Sequence, residues 1–362
     1  MKHLDEYRDP ALILRQVEAI RATCTRRWTL MEVCGGQTHA ILRHGLDELL
    51  ADAVELIHGP GCPVCVTPAE TLDQAVLLTR RPEVMLSTFG DMLRVPGALG
   101  DLNAARAAGG EVRVIYSPLD AVALAREHPE REVVLLAVGF ETTAPAAAIA
   151  VLQAEALGLA NLSLLVSHSL VPPAMEALLA DPDNRIQGFL AAGHVCTVEG
   201  AAAYHAIAER FRVPIVVTGF EPVDLLAGIH ACVEQLERGA ARVENRYDRA
   251  APDDGNAAAR AAVSRVFEPV EREWRGLGRL PASGLGLRPE YARFDAVGRF
   301  GLVTPEAIGD SPCIAGEVLR GLRRPTDCPA FGRDCTPDTP LGAPMVSSEG
   351  ACAAYLHYRG EA

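Results

Sequence analysis

Lysine is almost missing from this chain: Lys2 is the only one, so arginine supplies nearly all of the 34 basic residues, which face 47 acidic ones. The resulting formal charge of −13 disfavours unspecific binding to nucleic acid or to an anionic membrane surface. Long apolar runs are missing too. No 18 consecutive apolar residues occur, and the first 21 positions carry Asp5, Glu6, Asp9 and Glu18, which argues against a membrane span and a secretory leader and predicts a cytoplasmic protein. Gly59-Pro60-Gly61 lacks the Gly-Lys-Ser/Thr ending of a phosphate-binding loop, and Gly276-Leu277-Gly278 follows no strand and completes no dinucleotide fingerprint. The Cys-x3-Cys-x2-Cys of radical enzymes that use S-adenosylmethionine is absent as well.

What is present is an ordinary globular composition, 49% hydrophobic and 22% charged over 362 residues, enough for two or three domains with their own cores. Ten cysteines stand out: Cys24, Cys34, Cys62, Cys65, Cys196, Cys232, Cys313, Cys328, Cys335 and Cys352. A reducing cytosol has little use for a disulfide framework, so clustered cysteines there point to metal or redox chemistry.

Short β-branched runs alternate with helical patterns in two stretches. Strands are expected at 29–33, 53–58, 84–88 and 112–116, then at 132–138, 162–167, 188–192 and 213–218. Helices are expected near 38–50, 69–80 and 102–108, then near 144–157, 174–180 and 198–209. This rhythm predicts an α/β protein with two Rossmann-like parallel-sheet units, 28–121 and 122–222. Beyond Val223 the rhythm stops, and helices are expected over 225–238 and 257–273, then a Gly/Pro-rich stretch. We expect a mostly helical or irregular C-terminal domain over 223–362, onto which an N-terminal helical segment, 1–27, packs.

Ligands of open α/β sheets bind outside the carboxyl ends of the strands. The unusual residues fall there: Cys34-Gly35-Gly36-Gln37-Thr38-His39, His58-Gly59-Pro60-Gly61-Cys62-Pro63-Val64-Cys65, Thr88-Phe89-Gly90-Asp91, Glu141-Thr142-Thr143, His168 and His194-Val195-Cys196. Cys62 and Cys65 open a helix, whose N-terminus favours thiolate, and such a pair can cycle between dithiol and disulfide. Without a second Cys-x2-Cys, half of a four-cysteine zinc site is the weaker reading.

Cys34 precedes two glycines that let backbone approach a ligand closely, in polar company unlike that of a core position. His39 has the chemistry to orient, to donate a proton or to ligate. In the tail, Cys313, Cys328, Cys335 and Cys352 can ligate zinc or an iron–sulfur cluster. The wide gaps and Cys328-Pro329 lean toward the cluster, although no common cluster spacing is matched. Cys24, Cys196 and Cys232 read as packing residues.

Five motifs in order, Cys34-Gly35-Gly36-Gln37-Thr38-His39, Gly59-Pro60-Gly61-Cys62-Pro63-Val64-Cys65, Phe89-Gly90-Asp91-Met92, Gly139-Phe140-Glu141-Thr142-Thr143 and Ser347-Ser348-Glu349-Gly350-Ala351-Cys352, resemble the HypD family of hydrogenase maturation factors. The resemblance runs from about Thr29 to the C-terminus. It implies a redox-active scaffold, rather than a conventional turnover enzyme, for assembling the Fe(CN)2CO unit of [NiFe]-hydrogenases. A HypC chaperone would be its partner, with iron held between a HypC cysteine and Cys34. A HypE protein, carbamoylated by HypF, would bring cyanide as thiocyanate. The resemblance also implies a [4Fe-4S] cluster on Cys313, Cys328, Cys335 and Cys352 and a redox pair of Cys62 and Cys65 near the iron. His39 is then a candidate proton or hydrogen-bond donor at the iron, and Glu349 a candidate proton relay or cluster-tuning group, or simply a structural carboxylate. A general iron–sulfur-dependent thiol–disulfide oxidoreductase and a zinc-stabilised adaptor are the alternative readings of the same cysteines.

Overall fold

Runs such as Val133-Val134-Leu135-Leu136 in one stretch and Ile215-Val216-Val217 in another favour extended backbone, and both sheets they enter are buried on two faces. The computed structural model describes residues 5–303 and 312–360. Its strands are β1 (Trp28–Glu32), β2 (Val54–His58), β3 (Val84–Thr88), β4 (Val112–Val114), β5 (Glu132–Gly139), β6 (Leu162–His168), β7 (Gly188–Ala192), β8 (Ile215–Thr218), β9 (Val243–Asn245), β10 (Phe267–Trp274) and β11 (Gly278–Leu287). They form a five-stranded sheet in the order β2-β1-β7-β8-β9, a four-stranded sheet in the order β4-β3-β5-β6, and the β10-β11 pair. All pairings in the two larger sheets are parallel, and β10-β11 is antiparallel.

The sheets are not drawn from the contiguous stretches 28–121 and 122–222. β1 and β2 join β7 and β8 in one sheet, while β3 and β4 join β5 and β6 in the other. The chain crosses between sheets after β2 and returns after β6. Periodicity reports that a strand is doubly buried and is silent about which strand lies beside it.

Alternation along each strand divides the core. In the five-stranded sheet Leu30, Leu190 and Val216 face Leu225, Leu226 and Ile229 of helix Pro222–Glu237. Their neighbours Met31, Phe189, Ile215 and Val217 face the opposite layer, with Met175 and Tyr204. The four-stranded sheet repeats the scheme with Leu135 on one face and Leu136 on the other.

The N-terminal helix Pro10–Thr23 begins on an Asp9 cap and buries Val17 and Ile20 against helix Pro222–Glu237. That helix lies within the C-terminal stretch in sequence, yet it covers a face of the five-stranded sheet.

The helix expected over 257–273 ends early: Ala257–Val266 is helical, and β10 begins at Phe267. Pro269 cannot donate to a helix, and burial from Phe267 to Trp274 no longer follows a helical stripe. The Gly/Pro-rich stretch that follows supplies β11, so the C-terminal region holds a hairpin as well as helices and irregular chain. No helix among the described residues is long and apolar enough to cross a membrane.

Candidate functional site

Cys34 follows β1 after one residue, Val33, and caps helix Gly35–Arg43, with its side chain buried. Three segments meet on it, and glycines make room for them. The Gly35 N–H donates to the Gly61 carbonyl at 2.9 Å, and a Cβ on Gly61 would come within 2.2 Å of the Cys34 backbone nitrogen. A Cβ on Gly35 would lie 2.5 Å from Glu349 Cβ, and one on Gly36 would press on the Phe220 ring at 3.3 Å. These glycines therefore admit other parts of the chain, the Cys62 loop and the C-terminal segment among them, so their purpose is assembly of the site.

Below Cys34 lies a buried polar chain. Glu32, fully buried in an otherwise apolar strand, accepts the Cys34 N–H at 2.8 Å, the Thr38 hydroxyl and His58 Nδ1 at 2.7 Å. His58 Nε2 reaches the Tyr355 hydroxyl at 3.2 Å. On the other side, His194 Nδ1 lies 3.7 Å from Cys34 Sγ, with its ring stacked on Phe220. Burial holds the His194 pKa below its ordinary value, which favours the neutral imidazole. Burial pushes the Cys34 thiol strongly up against an opposing backbone hydrogen bond from Gln37, and the Glu32 and Glu349 charges add to the rise. A thiol so placed stays protonated until a cation displaces the proton, which suits a soft-metal ligand better than a free nucleophile.

Cys62 caps helix Pro63–Val66, and its sulfur accepts the Cys65 N–H at 3.3 Å. Both thiols are buried and no disulfide joins them. Burial raises the Cys65 pKa well above a free thiol's, followed by contact with Cys62 and then by the charges of Cys352 and Glu349. The pair thus lies within electrostatic reach of both the Cys34 neighbourhood and the tail.

The four tail cysteines come together. Cys313, Cys328, Cys335 and Cys352 line one small cavity walled by Ile314, Phe331, Pro344 and Met345. The Leu341 N–H donates to Cys335 Sγ at 3.3 Å, and Gly342 leaves space that a Cβ would take from Cys313 Sγ. Burial drives Cys352 strongly up, and the other three thiols add to the rise. Among the described residues no three His, Cys, Asp or Glu side chains are arranged to hold a single metal ion. Four soft donors around an apolar cavity, with a backbone amide directed at sulfur, fit an iron–sulfur cluster chemically.

Of the other sequence candidates, Glu349 packs over Gly35, and partial burial with the Asp91 charge raises its carboxyl. His39 turns to the C-terminal helix Ala351–Arg359, where Nε2 meets the Tyr358 hydroxyl at 2.8 Å and the rings pack edge to face. That contact ties His39 to the C-terminal helix. The sequence places His194 among the strand-end residues without a role, and does not single out Glu32. A lone carboxylate inside the apolar Trp28–Glu32 strand was the available signal for one, and a strand-end position for the other.

The ends of the four-stranded sheet behave differently. Glu141 accepts the Val171 N–H at 2.7 Å, and burial raises its pKa to about 8. Burial with the nearby Arg272 lowers His168 to about 3. Back at the five-stranded sheet, Cys196 after β7 lies against Tyr204, burial holding its pKa up at about 12, while Cys232 of helix Pro222–Glu237 is fully buried in the core.

A sequence model described as "HypD: Hydrogenase formation hypA family" matches residues 11–359. The chain is 49% identical over 369 residues to the hydrogenase maturation factor HypD of Rhizobium leguminosarum bv. viciae, covering 99% of this chain and 96% of the relative. It is 47% identical to HypD of Rhodobacter capsulatus, covering 99% of both chains. It is also 47% identical to HypD of Escherichia coli K12, covering 99% of this chain and 98% of the relative. The match spans both sheets, the Cys34 loop, the Cys62–Cys65 pair and the tail, and the chain belongs to the HypD family of hydrogenase maturation factors.

Proposed function

We propose that this maturation factor is the scaffold on which the Fe(CN)2CO unit of a [NiFe]-hydrogenase is put together, and that it acts in the cytoplasm, with protein partners and neither nucleic acid nor membrane. The observation that carries the reading is the meeting of Cys34, the Cys62–Cys65 pair and the tail segment across Gly35, Gly61 and Glu349. The iron is cargo. Cys34 holds it together with a cysteine of a HypC-like chaperone, His194 lies close enough to hydrogen-bond the thiolate, and the Glu32 carboxylate fixes the Cys34 backbone.

Cyanide arrives as a thiocyanate on a HypE-like donor that a HypF-like enzyme has charged. Releasing it consumes two electrons: the dithiol of Cys62 and Cys65 becomes a disulfide, and the S–CN bond breaks to leave the donor's thiol and hydrogen cyanide. Two thiol protons go to the two products, so the step balances with no other reductant. A [4Fe-4S] cluster held by Cys313, Cys328, Cys335 and Cys352 would supply single-electron transfer when bound.

Infrared spectroscopy of the protein copurified anaerobically with its HypC-like partner tests the reading. Cyanide and CO stretching bands are expected, and Cys34→Ala should abolish them. Bands of full intensity in that variant would remove Cys34 from the iron site. Absence of bands beside active reduction of unrelated disulfides would favour a general thiol–disulfide oxidoreductase.

A further inference from the structure

Glu32 and His58 end adjacent parallel strands in register, so their side chains emerge on the same face of the sheet. Both are buried, and a carboxylate at that depth needs donors on its oxygens. Glu32 Oε2 takes the Cys34 N–H at 2.8 Å, while Oε1 takes the Thr38 hydroxyl, and also His58 Nδ1 at 2.7 Å. An ionised carboxylate can only accept, so Nδ1 is the nitrogen that donates.

In a neutral ring the other nitrogen then presents a lone pair, here in a buried place. Tyr355 meets it: its hydroxyl lies 3.2 Å from His58 Nε2, and the two rings pack edge to face with centroids 5.3 Å apart at 77°. Without that donor Nε2 is left unpaired, and the ring is relieved by moving its proton to Nε2 or by turning, either of which takes the donor away from Glu32. Helix Ala351–Arg359, which supplies Tyr355, carries Cys352 in its first turn, so one helix serves the tail thiols and, through His58 and Glu32, the backbone of Cys34. A second tyrosine of this helix makes a similar contact, Tyr358 with His39 Nε2 at 2.8 Å. Among the described residues no hydrogen bond runs on from His39 to Glu32 or Cys34, so of the two tyrosines only Tyr355 reaches the Cys34 loop through such a chain.

We propose that Tyr355 is a positioning residue for Cys34: its hydroxyl holds the His58 ring in the tautomer that donates to Glu32, and Glu32 fixes the backbone from which the Cys34 thiol is offered to iron. The inference deepens the reading of Cys34 as an iron ligand and rests on it. What the site needs from this position is the hydroxyl, beyond the packing of the ring.

Tyr355→Phe removes the hydroxyl and keeps the ring, and Tyr358→Phe does the same at the neighbouring contact. In the full-length protein, amide hydrogen exchange is followed by mass spectrometry in the peptide containing Cys34 and, as a control, in the one covering β5. In the complex copurified anaerobically with the HypC-like partner, infrared spectroscopy gives the intensity of the cyanide and CO bands. Tyr355→Phe should speed exchange at Cys34 about tenfold, leave β5 unchanged and lower the bands about tenfold, while Tyr358→Phe stays near the parent in all three. His58→Asn keeps a donor close to the place of Nδ1 and lacks Nε2, so adding Tyr355→Phe to it should change nothing further. Equal effects of the two phenylalanine variants would overturn the proposal, because docking of the helix would account for both. So would exchange or bands at the parental level in Tyr355→Phe, or a second loss of similar size when it is added to His58→Asn. A parent complex without bands would overturn the reading of Cys34 as an iron ligand, and this inference with it.

Discussion

The two parallel sheets end in similar loops and put them to different uses. At the five-stranded sheet, Cys34, His58 and His194 converge, and Glu32 ties the loop to two strands through bonds of 2.7–2.8 Å. At the four-stranded sheet, the hydroxyls of Thr88 and Ser167, His168 Nδ1 and Glu141 Oε2 are buried with no hydrogen-bond partner among the described residues. Burial there drives Glu141 and His168 toward their neutral forms, the state in which such groups are least costly to bury. A strand-end position is therefore not enough to make a site. The five-stranded sheet gains one because the Cys62 loop and the C-terminal segment close over it, the loop bringing the Gly61 carbonyl to the Gly35 N–H and the C-terminal helix the Tyr355 hydroxyl to His58.

The largest expected contrast is in maturation. Cys34→Ala should lower hydrogenase activity in a complemented strain by at least about 100-fold, the scale of losing a group that touches the reacting centre. His168→Gln should stay within about threefold of the parent, and comparable losses in both would break the comparison. Next come the cores. Leu190→Ala in one sheet and Leu136→Ala in the other remove fully buried side chains, and each should cost about 2–5 kcal/mol in denaturant unfolding. A single transition in both variants would show that the interleaved sheets unfold together.

The pH dependence of stability sharpens the contrast further. His168 titrates near 3 when folded against 6.5 ordinarily, so its contribution is complete above pH 6.5 and is lost as pH falls from there toward 3. Glu141 titrates near 8 when folded against 4.5 ordinarily, so its contribution is complete below pH 4.5 and is lost as pH rises toward 8. Each slope is about 1.4 kcal/mol per pH unit, and the two oppose one another between 4.5 and 6.5. His168→Gln should flatten the acid limb and Glu141→Gln the alkaline limb; slopes unchanged in both variants would reject the neutral-group account. The smallest effect is at the caps, where Asp9→Ala beside the five-stranded sheet and Asp101→Ala beside the four-stranded one should each cost about 1 kcal/mol in melting experiments.

Strand positions in the first 220 residues were legible because β-branched runs and glycine turns are local signals, as the match of 84–88 and 188–192 to β3 and β7 illustrates. Which strands share a sheet was not legible, since pairing depends on contacts far apart in sequence. The four tail cysteines were legible as a group because they crowd into one short stretch of the tail, while their spacing left zinc and an iron–sulfur cluster both open. His194 was legible only as a strand-end residue, because its place beside Cys34 is a distance of 3.7 Å across 160 positions, and β10 escaped because a short amphipathic run before it is helical.

The crossing of the chain between sheets also bears on synthesis. β1 emerges from the ribosome more than 150 residues ahead of β7, its partner, and Glu349 and Cys352 follow almost last. Until then Cys34 lacks His194 at its side and Glu349 over Gly35. Contacts so distant in sequence form late and slowly. A nascent chain therefore carries Cys34 without the surroundings that the fold gives it, and these come together only once the segment bearing Glu349 has been made.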